Sequence, residues 1–318
     1  MSIKERKIAD DGWAVWIDGD DTSTVYINDW INPKGNSYVD LAIRVRGIKS
    51  SRYLKVYVPF SVSSEEIEDV SLLFQDRKIL QAIFSAACII DYKKNEYTSE
   101  IAYNGKVVDI VHISTLENEI SSLSTGTLIT VDLEKLQPFL DNDESYFIWR
   151  MPHKSLDEIF KSHADVRSIM TRLRDLITTP VVSKKYCYSI RINESRFLPE
   201  EITRIGTFHR QKLNKAVVTL SVDETYEFNE SNCYCIRRLE DNLYKGYLPE
   251  NYQSDGVITY QWNQTRDYNF QGQFNFYFNI VKNSISRGSM LVYIVLLLTV
   301  GVLGELLYDI LKSLFGLI

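Results

Sequence analysis

Three charged side chains interrupt the apolar C-terminal stretch of this sequence at regular spacing. Glu305, Asp309 and Lys312 stand at positions i, i+4 and i+7, so on a helix they share one face. Leu298 and Gly301 continue that face toward the start of the stretch. Rings of acidic side chains line cation-favouring pores when several copies of a helix surround water. The spacing therefore predicts that these five residues line a pore in a homo-oligomer.

The length of the apolar stretch decides how deep the charges lie. Residues 290–304 carry no charge, but fifteen helical residues reach only about 22 Å, short of a hydrocarbon core of about 30 Å. A helix over residues 290–311 reaches about 33 Å and places Glu305 and Asp309 in the distal part of the bilayer or at its far interface. In lipid, each buried charge would cost roughly 2.5–3.5 kcal/mol on insertion scales. Association of several copies would turn the charged face inward, toward water.

Two other interpretations of this stretch stay open. Residues 305–318 can lie as an amphipathic segment at the far interface, so that the stretch is a plain anchor in the lipid bilayer. Alternatively, the stretch is part of a buried helix hairpin in a soluble protein. The sequence alone does not choose between a pore-lining face and an anchor.

Charges outside the stretch predict its orientation. Residues 1–13 are charged and lack the apolar core of a signal peptide. Lys282 and Arg287 precede the stretch, whereas Lys312 follows it beside two acids. The positive-inside rule then leaves the large N-terminal part in the cytoplasm. We therefore expect a tail-anchored, single-pass layout.

A second candidate site is basic and belongs to the N-terminal part. Its cations surround one predicted hairpin and are Arg44, Arg46, Lys49, Arg52 and Lys55. A further basic stretch comprises His209, Arg210, Lys212 and Lys215, with Arg237 and Arg238 nearby in sequence. Interleaved tyrosines could stack bases while the cations hold phosphates. This pattern predicts an anionic ligand, a nucleotide or short oligonucleotide, and the alternative is a solvated strand face paired with acids.

Known catalytic patterns are absent from the sequence. No HExxH or HxH spacing joins the four histidines, which are His112, His153, His163 and His209. The sequence also lacks GxSxG, a P-loop and GxGxxG. Cys233 and Cys235 share one face of a predicted strand, where packing is a simpler interpretation than a metal or redox pair. We therefore expect no enzyme, metal or cofactor, and the formal charge of -6 argues against general DNA coating.

Alternating apolar and polar residues predict strands through most of the N-terminal part. We expect the runs at 38–46 and 52–60 to form a hairpin, and the Asn-Gly pair at 104–105 marks another hairpin turn. Ser63 and Glu66 form a capping box, which predicts a helix after them.

The predicted fold class is mainly β, of the α+β type, in four segments. Residues 1–153 form an N-terminal β-rich domain, and residues 154–180 form an amphipathic connecting helix. Residues 181–281 form a second β-rich domain, and residues 282–318 form the single C-terminal transmembrane segment. A strand, a polar loop and Glu-Glu-Ile occur in both halves, which fits a duplication or chance.

The tail at 290–318, with Glu305 and Asp309, follows a β-rich part without a catalytic motif. In this architecture the chain resembles the membrane effectors of bacterial anti-phage defence, nearest the Hailong-type channel effector. The resemblance implies an oligomeric, ligand-gated channel that depolarises the bacterial inner membrane. It also implies a nucleic-acid ligand made by a partner nucleotidyltransferase. A tail-anchored adaptor that binds a protein partner, or a nucleotide-binding regulator without a pore, are the alternatives.

Overall fold

The computed structural model consists of two β-sheets and one long C-terminal helix. It describes residues 12–18, 22–32, 35–48, 51–84, 88–91, 95–116, 118–153, 182–205, 212–228, 233–249, 251–252, 254–265, 273–284 and 287–316. The prediction of a mainly β protein with an apolar C-terminal helix is confirmed.

Strands and helices are numbered here in chain order. The strands are β1 (Gly12–Ile17), β2 (Thr22–Trp30), β3 (Ser37–Arg46), β4 (Tyr53–Val58), β5 (Glu68–Asp69), β6 (Cys88–Asp91), β7 (Thr98–Tyr103), β8 (Lys106–Val111), β9 (Asn118–Ser122), β10 (Thr127–Asp132), β11 (Glu144–His153), β12 (Val182–Ile192), β13 (Lys212–Asp223), β14 (Tyr226–Phe228), β15 (Cys235–Arg238), β16 (Val257–Thr265) and β17 (Phe274–Ser284). The α-helices are α1 (Arg77–Phe84), α2 (Glu200–Ile205), α3 (Asp241–Tyr244) and α4 (Arg287–Phe315).

The strands form a seven-stranded and a ten-stranded sheet. The smaller sheet has the order β14-β17-β12-β1-β4-β10-β9. The larger sheet has the order β15-β16-β13-β2-β3-β11-β8-β7-β6, with β5 paired to β11 beside this path. β1 is buried along its whole length and most of β3 is buried, so side chains on both faces of these two strands are covered.

Both sheets combine strands from the two halves of the chain. β1 pairs in parallel with β12, and β2 pairs in parallel with β13. Residues 1–153 and 181–281 therefore share their sheets, in contrast with the predicted division into two separate β-rich domains. Local sequence patterns predict that a strand forms but not which distant strand becomes its neighbour. The predicted connecting helix at 154–180 lies outside the described residues.

The predicted hairpin of β3 with β4 is wrong. β3 lies between β2 and β11 in the ten-stranded sheet, whereas β4 lies between β1 and β10 in the other sheet. The chain leaves β3 through Gly47, whose φ is 84° and whose N–H donates to Asp143 O at 2.9 Å. The hairpin predicted at 104–105 is confirmed, because Asn104 and Gly105 adopt the positive φ angles of a tight turn between β7 and β8.

A buried ion pair joins β3 to β11 in the ten-stranded sheet. Arg150 Nε donates to Asp40 Oδ1 at 2.7 Å, and Arg150 Nη2 donates to Asp40 Oδ2 at 3.0 Å. Trp30 Nε1 and the Tyr247 hydroxyl donate to the same carboxylate, each at 2.6 Å. The rings of Tyr244 and Tyr247 pack against Trp30, with centroids 5.8 and 6.0 Å away. This polar centre holds an aromatic cluster against the sheet.

The capping box predicted at Ser63 and Glu66 is present, but the turn that it starts is short. Ser63 N donates to Glu66 Oε2 at 2.8 Å, and the following turn is a 3-10 helix over Ser64–Glu66. A second 3-10 helix covers Val70–Gln75 before α1 begins at Arg77. In place of the predicted single helix there are two separate 3-10 helices, because β5 lies between them and pairs with β11.

Contacts divide the chain into two compact units. The first unit comprises Met1–Ile159, Tyr188–Glu224 and Glu230–Phe278. The second comprises Phe160–Cys187, Thr225–Asn229 and Asn279–Ile318. In the second unit, β14 pairs antiparallel with the last part of β17, and α4 begins three residues after β17 ends.

Candidate functional site

α4 is the element suited to a membrane. It has 29 residues, which correspond to about 43 Å of helix. Its segment Met290–Phe315 is long and apolar enough to cross a membrane, with a mean hydropathy of 2.4 in its apolar window, and none of that window is buried. Water-exposed apolar surfaces of this extent normally mark contact with a partner or a membrane. The helix is therefore consistent with single-pass membrane anchoring.

The five residues predicted on one helix face all belong to α4, and all are exposed. The helix continues without a break through Glu305, so helical geometry keeps these side chains on one face. Measured from Met290, Glu305 lies about 22 Å and Asp309 about 28 Å along the axis. A Cβ added at Gly301 would meet no described atom within 4 Å, so no described contact requires glycine there. Pore lining by this face stays a prediction.

Two cations precede the apolar part of α4. Lys282 Nζ donates to the Tyr226 hydroxyl at 2.7 Å and lies 4.6 Å from the centroid of that ring. Arg287 is exposed and is the first residue of α4. These are the two charges from which the cytoplasmic orientation is predicted.

The cations predicted to hold an anion do not form one surface. Arg44 in β3 forms an ion pair with Glu144, with its side chain 20% exposed. Arg46, on the same strand, is 65% exposed, and its Nε lies 3.1 Å from Asp143 Oδ2. The strand pairing explains these partners. Glu144 lies directly opposite Arg46 at the start of β11, so Glu144 and the preceding Asp143 are both close to the end of β3 that carries the two arginines. Two predicted ligand-binding residues are thus paired with acids on the neighbouring segment.

The remaining cations of that group lie elsewhere. Arg52 Nε lies 3.5 Å from Glu134 Oε2, with both side chains mostly exposed. Lys55 lies in β4, in the other sheet from Arg44, and its Nζ is 5.5 Å from the centroid of the Tyr53 ring. Lys49 is outside the described residues. Arg52 and Lys55 both lie over the Tyr53 ring, but the predicted cluster as a whole is dispersed over two sheets because the hairpin that would have assembled it does not form.

A cavity of about 370 Å³ opens on one face of the ten-stranded sheet, in the first unit. Its floor is formed by β2, β13 and β16. Asn28, Thr219 and Gln261 lie side by side there, because Thr219 is in register with Asn28 on one side and with Gln261 on the other. Tyr26 and Val217 form the adjacent row of the floor. The floor therefore combines amide and hydroxyl groups with an apolar surface.

Aromatic rings form the walls of this cavity. The ring of Phe84, from α1, lies 5.1 Å from that of Tyr103 and 5.3 Å from that of Tyr146, measured between centroids. Trp30 and Tyr244 line the same space and pack on each other. The cavity thus presents several ring surfaces on which a planar ligand can stack.

Two arginines from separate strands line the cavity as well. Arg44 comes from β3, and its Cζ lies 5.8 Å from the centroid of Tyr103. Arg237 comes from β15, is exposed, and donates through Nη2 to the Tyr244 hydroxyl at 2.9 Å. They belong to two basic stretches that are distant in sequence, and the fold brings one residue of each to the same cavity.

Burial favours the neutral form of three tyrosines that line the cavity. Burial raises the pKa of Tyr103, with Arg44 opposing the shift, and raises the pKa of Tyr244, with Arg237 opposing it. Burial raises the pKa of Tyr146 well above its usual range. Because the neutral form is favoured, these hydroxyl groups add no negative charge to the cavity.

The two histidines that the structure describes, His112 and His153, contact polar side chains of the fold. Ser71 Oγ lies 3.0 Å from His112 Nδ1, and Ser99 Oγ lies 2.8 Å from His112 Nε2, with His112 only 1% exposed. His153 Nδ1 lies 2.9 Å from Asp29 Oδ1. His163 and His209 are outside the described residues. Within the part of the chain that the structure describes, no group of three or more His, Cys, Asp or Glu side chains is arranged to hold a metal ion.

The chain was compared with known families and with curated proteins. No family model matches it, and no similar curated protein was found. The geometry of α4 and of the cavity is therefore the basis for a functional interpretation.

The sequence did not predict the cavity, whereas it did predict the charged face of α4. Its floor residues Asn28, Thr219 and Gln261 come from strands that are distant in the chain. A polar residue on an alternating strand is typical of a solvated face, so none of them stood out. The available signal was tyrosine content, since 20 of 318 residues are Tyr. That signal indicates stacking surfaces but does not locate them.

Proposed function

We propose that this protein is a single-pass membrane protein that assembles into a homo-oligomeric ion channel, gated through its cytoplasmic β-rich part. α4 supplies the pore helix, and Glu305 and Asp309 line a path that favours cations. Lys312 moderates the negative field, because it lies three residues from Asp309 on the same face. The membrane in this proposal is the bacterial inner membrane, with the orientation that Lys282 and Arg287 predict.

The observation that supports a pore is a charged face on an exposed and otherwise apolar helix. Glu305 and Asp309 face one direction, about 22 and 28 Å along the axis from Met290. A single helix must place them in lipid or at the far interface, and a charge in lipid costs roughly 2.5–3.5 kcal/mol. Assembly around water removes this cost. One helix cannot surround a pore, so the proposal requires several copies of the chain.

The proposed biological setting is bacterial anti-phage defence. In the effectors that the chain resembles, a soluble part senses a ligand and the membrane helices depolarise the cell. By this proposal, a nucleotide-type ligand from a partner nucleotidyltransferase would act on the β-rich part. The test of the pore does not depend on this setting, because flux is measured on the isolated protein.

The test is ion flux through liposomes that contain the full-length protein, compared with a Glu305→Gln, Asp309→Asn double variant. Because the proposed channel is gated, flux is measured with and without added nucleotides. We expect cation flux from the unchanged protein in at least one of these conditions, and lower cation selectivity from the double variant because its pore face has lost two negative charges. The matched control is Glu201→Gln, which removes an exposed acid from α2 and should leave flux unchanged. Equal flux and selectivity in the double variant would reject the pore-lining assignment.

A tail-anchored adaptor is the second candidate, and the length of α4 favours it. About 43 Å of helix exceeds a hydrocarbon core of about 30 Å. If the core begins at Arg287, Asp309 and Lys312 lie beyond it, at about 33 and 38 Å, and Glu305 lies near its far edge, at about 27 Å. An adaptor would keep its cellular activity when an unrelated anchor replaces residues 288–318, whereas a channel would lose it. A monomer in detergent without flux in liposomes would also favour the adaptor.

A further inference from the structure

We infer that the cavity on the ten-stranded sheet binds a nucleoside monophosphate, with its base among the aromatic rings and its phosphate at Arg237 and Arg44. Binding is argued from the cavity alone. That such a ligand gates the protein rests in addition on the proposed channel function. The two parts are separable by experiment, because binding and flux are measured independently.

The size of the cavity limits the ligand. Its volume of about 370 Å³ lies at the lower end of the usual range for small-molecule sites, roughly 300–1,000 Å³. A single base with its sugar and phosphate suits a space of this size. An oligonucleotide instead needs a basic groove that follows several phosphates, and Arg46, Arg52 and Lys55 are not among the residues that line this cavity. The structure thus favours a mononucleotide over the oligonucleotide that the sequence left open.

The side chains of the cavity match a nucleobase in two ways. The rings of Phe84, Tyr103 and Tyr146 offer flat surfaces, and stacking on an aromatic side chain contributes about 1–3 kcal/mol per base. Asn28 and Gln261 flank Thr219 on the floor, and each amide carries both a donor and an acceptor. Paired donors and acceptors of this kind read the edge of a base, whereas a purely aliphatic ligand would leave them without partners.

The phosphate would lie toward Arg237. Its bond to the Tyr244 hydroxyl holds the guanidinium in place and uses one of five N–H donors, which leaves others for a phosphate oxygen. Arg44 supplies a second guanidinium, although its pairing with Glu144 neutralises part of its charge. Arg237 is therefore the main phosphate ligand, and Arg44 the supporting one. The neutral hydroxyl groups of Tyr103 and Tyr244 do not repel the anion.

The experiment is titration calorimetry on the full-length protein in lipid nanodiscs. The probes are AMP, GMP, CMP and UMP, the matching nucleosides without phosphate, and a dinucleotide. We expect at least one monophosphate to bind, and its nucleoside to bind at least about tenfold more weakly, since charge-assisted hydrogen bonds would be lost. Arg237→Ala should weaken binding of the monophosphate by a similar factor. Gln261→Leu should change the preference among bases.

The chain offers a matched control beside Arg237. Arg238 is the next residue of β15, is exposed, and pairs with Asp255 at 3.2 Å instead of lining the cavity. Arg238→Ala should leave binding unchanged. Arg44→Lys keeps the charge paired with Glu144 and tests the supporting arginine without leaving this partly buried acid alone. Circular dichroism of each variant separates lost binding from lost folding.

The outcomes divide as follows. Absence of binding by all four monophosphates at millimolar concentration overturns the site, as does binding that neither Arg237→Ala nor Arg44→Lys weakens. A dinucleotide that binds at least about tenfold tighter than any mononucleotide overturns the size argument. Binding without flux would leave this site standing and reject the channel. Flux without binding would reject this site and leave the channel standing.

Discussion

Asp40 shows how this fold accommodates charge inside a sheet. Its carboxylate is fully buried but accepts hydrogen bonds from Arg150, Trp30 and Tyr247. Desolvation lowers the pKa of Arg150, but the charge and hydrogen bonds of Asp40 outweigh this effect, and the net result is a raised pKa. The guanidinium is therefore always charged, and it depends on Asp40 for compensation.

We predict that Asp40→Asn strongly destabilises the protein. It would leave Arg150 buried without its counter-ion, and breaking such a pair typically costs about 3–5 kcal/mol in the free energy of unfolding. Asp143→Asn is the control, because Asp143 pairs with Arg46 on the surface, where ion pairs contribute about 0–1 kcal/mol. Urea unfolding of both variants measures the difference. A similar decrease in the free energy of unfolding in both variants would show that the buried pair contributes no more than a surface pair.

At the scale of elements, α4 differs from the central strands of the two sheets. Strands such as β1, β3 and β11 are mostly buried, whereas the described side chains of α4 are exposed around nearly its whole circumference. Residues 290–304 of α4 carry no charge on any side, and a helical segment of this kind belongs in a protein core or a membrane. None of its apolar window is buried in the described structure. Membrane association should therefore depend on this one element.

We predict that a variant ending at Ser284 loses its membrane association. Without α4 the chain lacks the helix that is long and apolar enough to cross a membrane, so it should move from the carbonate-resistant membrane fraction to the supernatant. The Glu305→Gln, Asp309→Asn variant is the control and should remain in the membrane, since it keeps the apolar length. Membrane retention of the truncated chain would show that another segment also binds lipid.

At the scale of the whole molecule, both sheets are completed only when the two halves of the chain meet. β13 lies between β2 and β16, and β12 lies beside β1. A chain that ended after β11 would leave an edge of β2 without its partner over Thr22–Trp30. Long unpaired edges of this kind promote aggregation. Folding of the β-rich part therefore depends on contacts between residues that are distant in sequence.

We predict that the fragment 1–153 does not fold into a stable domain, although the sequence pattern suggests one. The fragment 1–284 is the control, because it contains every strand of both sheets and should unfold cooperatively. Circular dichroism and limited proteolysis of the two fragments compare their structure. Cooperative unfolding of the shorter fragment would support two independent domains instead.

Some features of this protein follow from the sequence because they depend on neighbouring residues only. Alternation with a period of two predicts strands such as β3 and β17, and the apolar, aromatic run at residues 13–17 predicts β1. The Asn-Gly pair predicts the turn between β7 and β8. The apolar run with Glu305 and Asp309 predicts a long helix with a charged face for the same reason. These are local periodicities, which do not change with the partner of the element.

Other features were decided only by the tertiary structure. Which strands pair depends on burial and hydrogen bonding between distant segments, and a strand pattern fits many neighbours equally well. For this reason β3 and β4 belong to different sheets, and the basic residues between 44 and 55 are dispersed. The same pairing places Arg44 and Arg237 at one cavity and aligns Asn28, Thr219 and Gln261 on its floor. By itself the sequence determined the long apolar helix and its charges, whereas the cavity on the ten-stranded sheet exists only because distant strands meet.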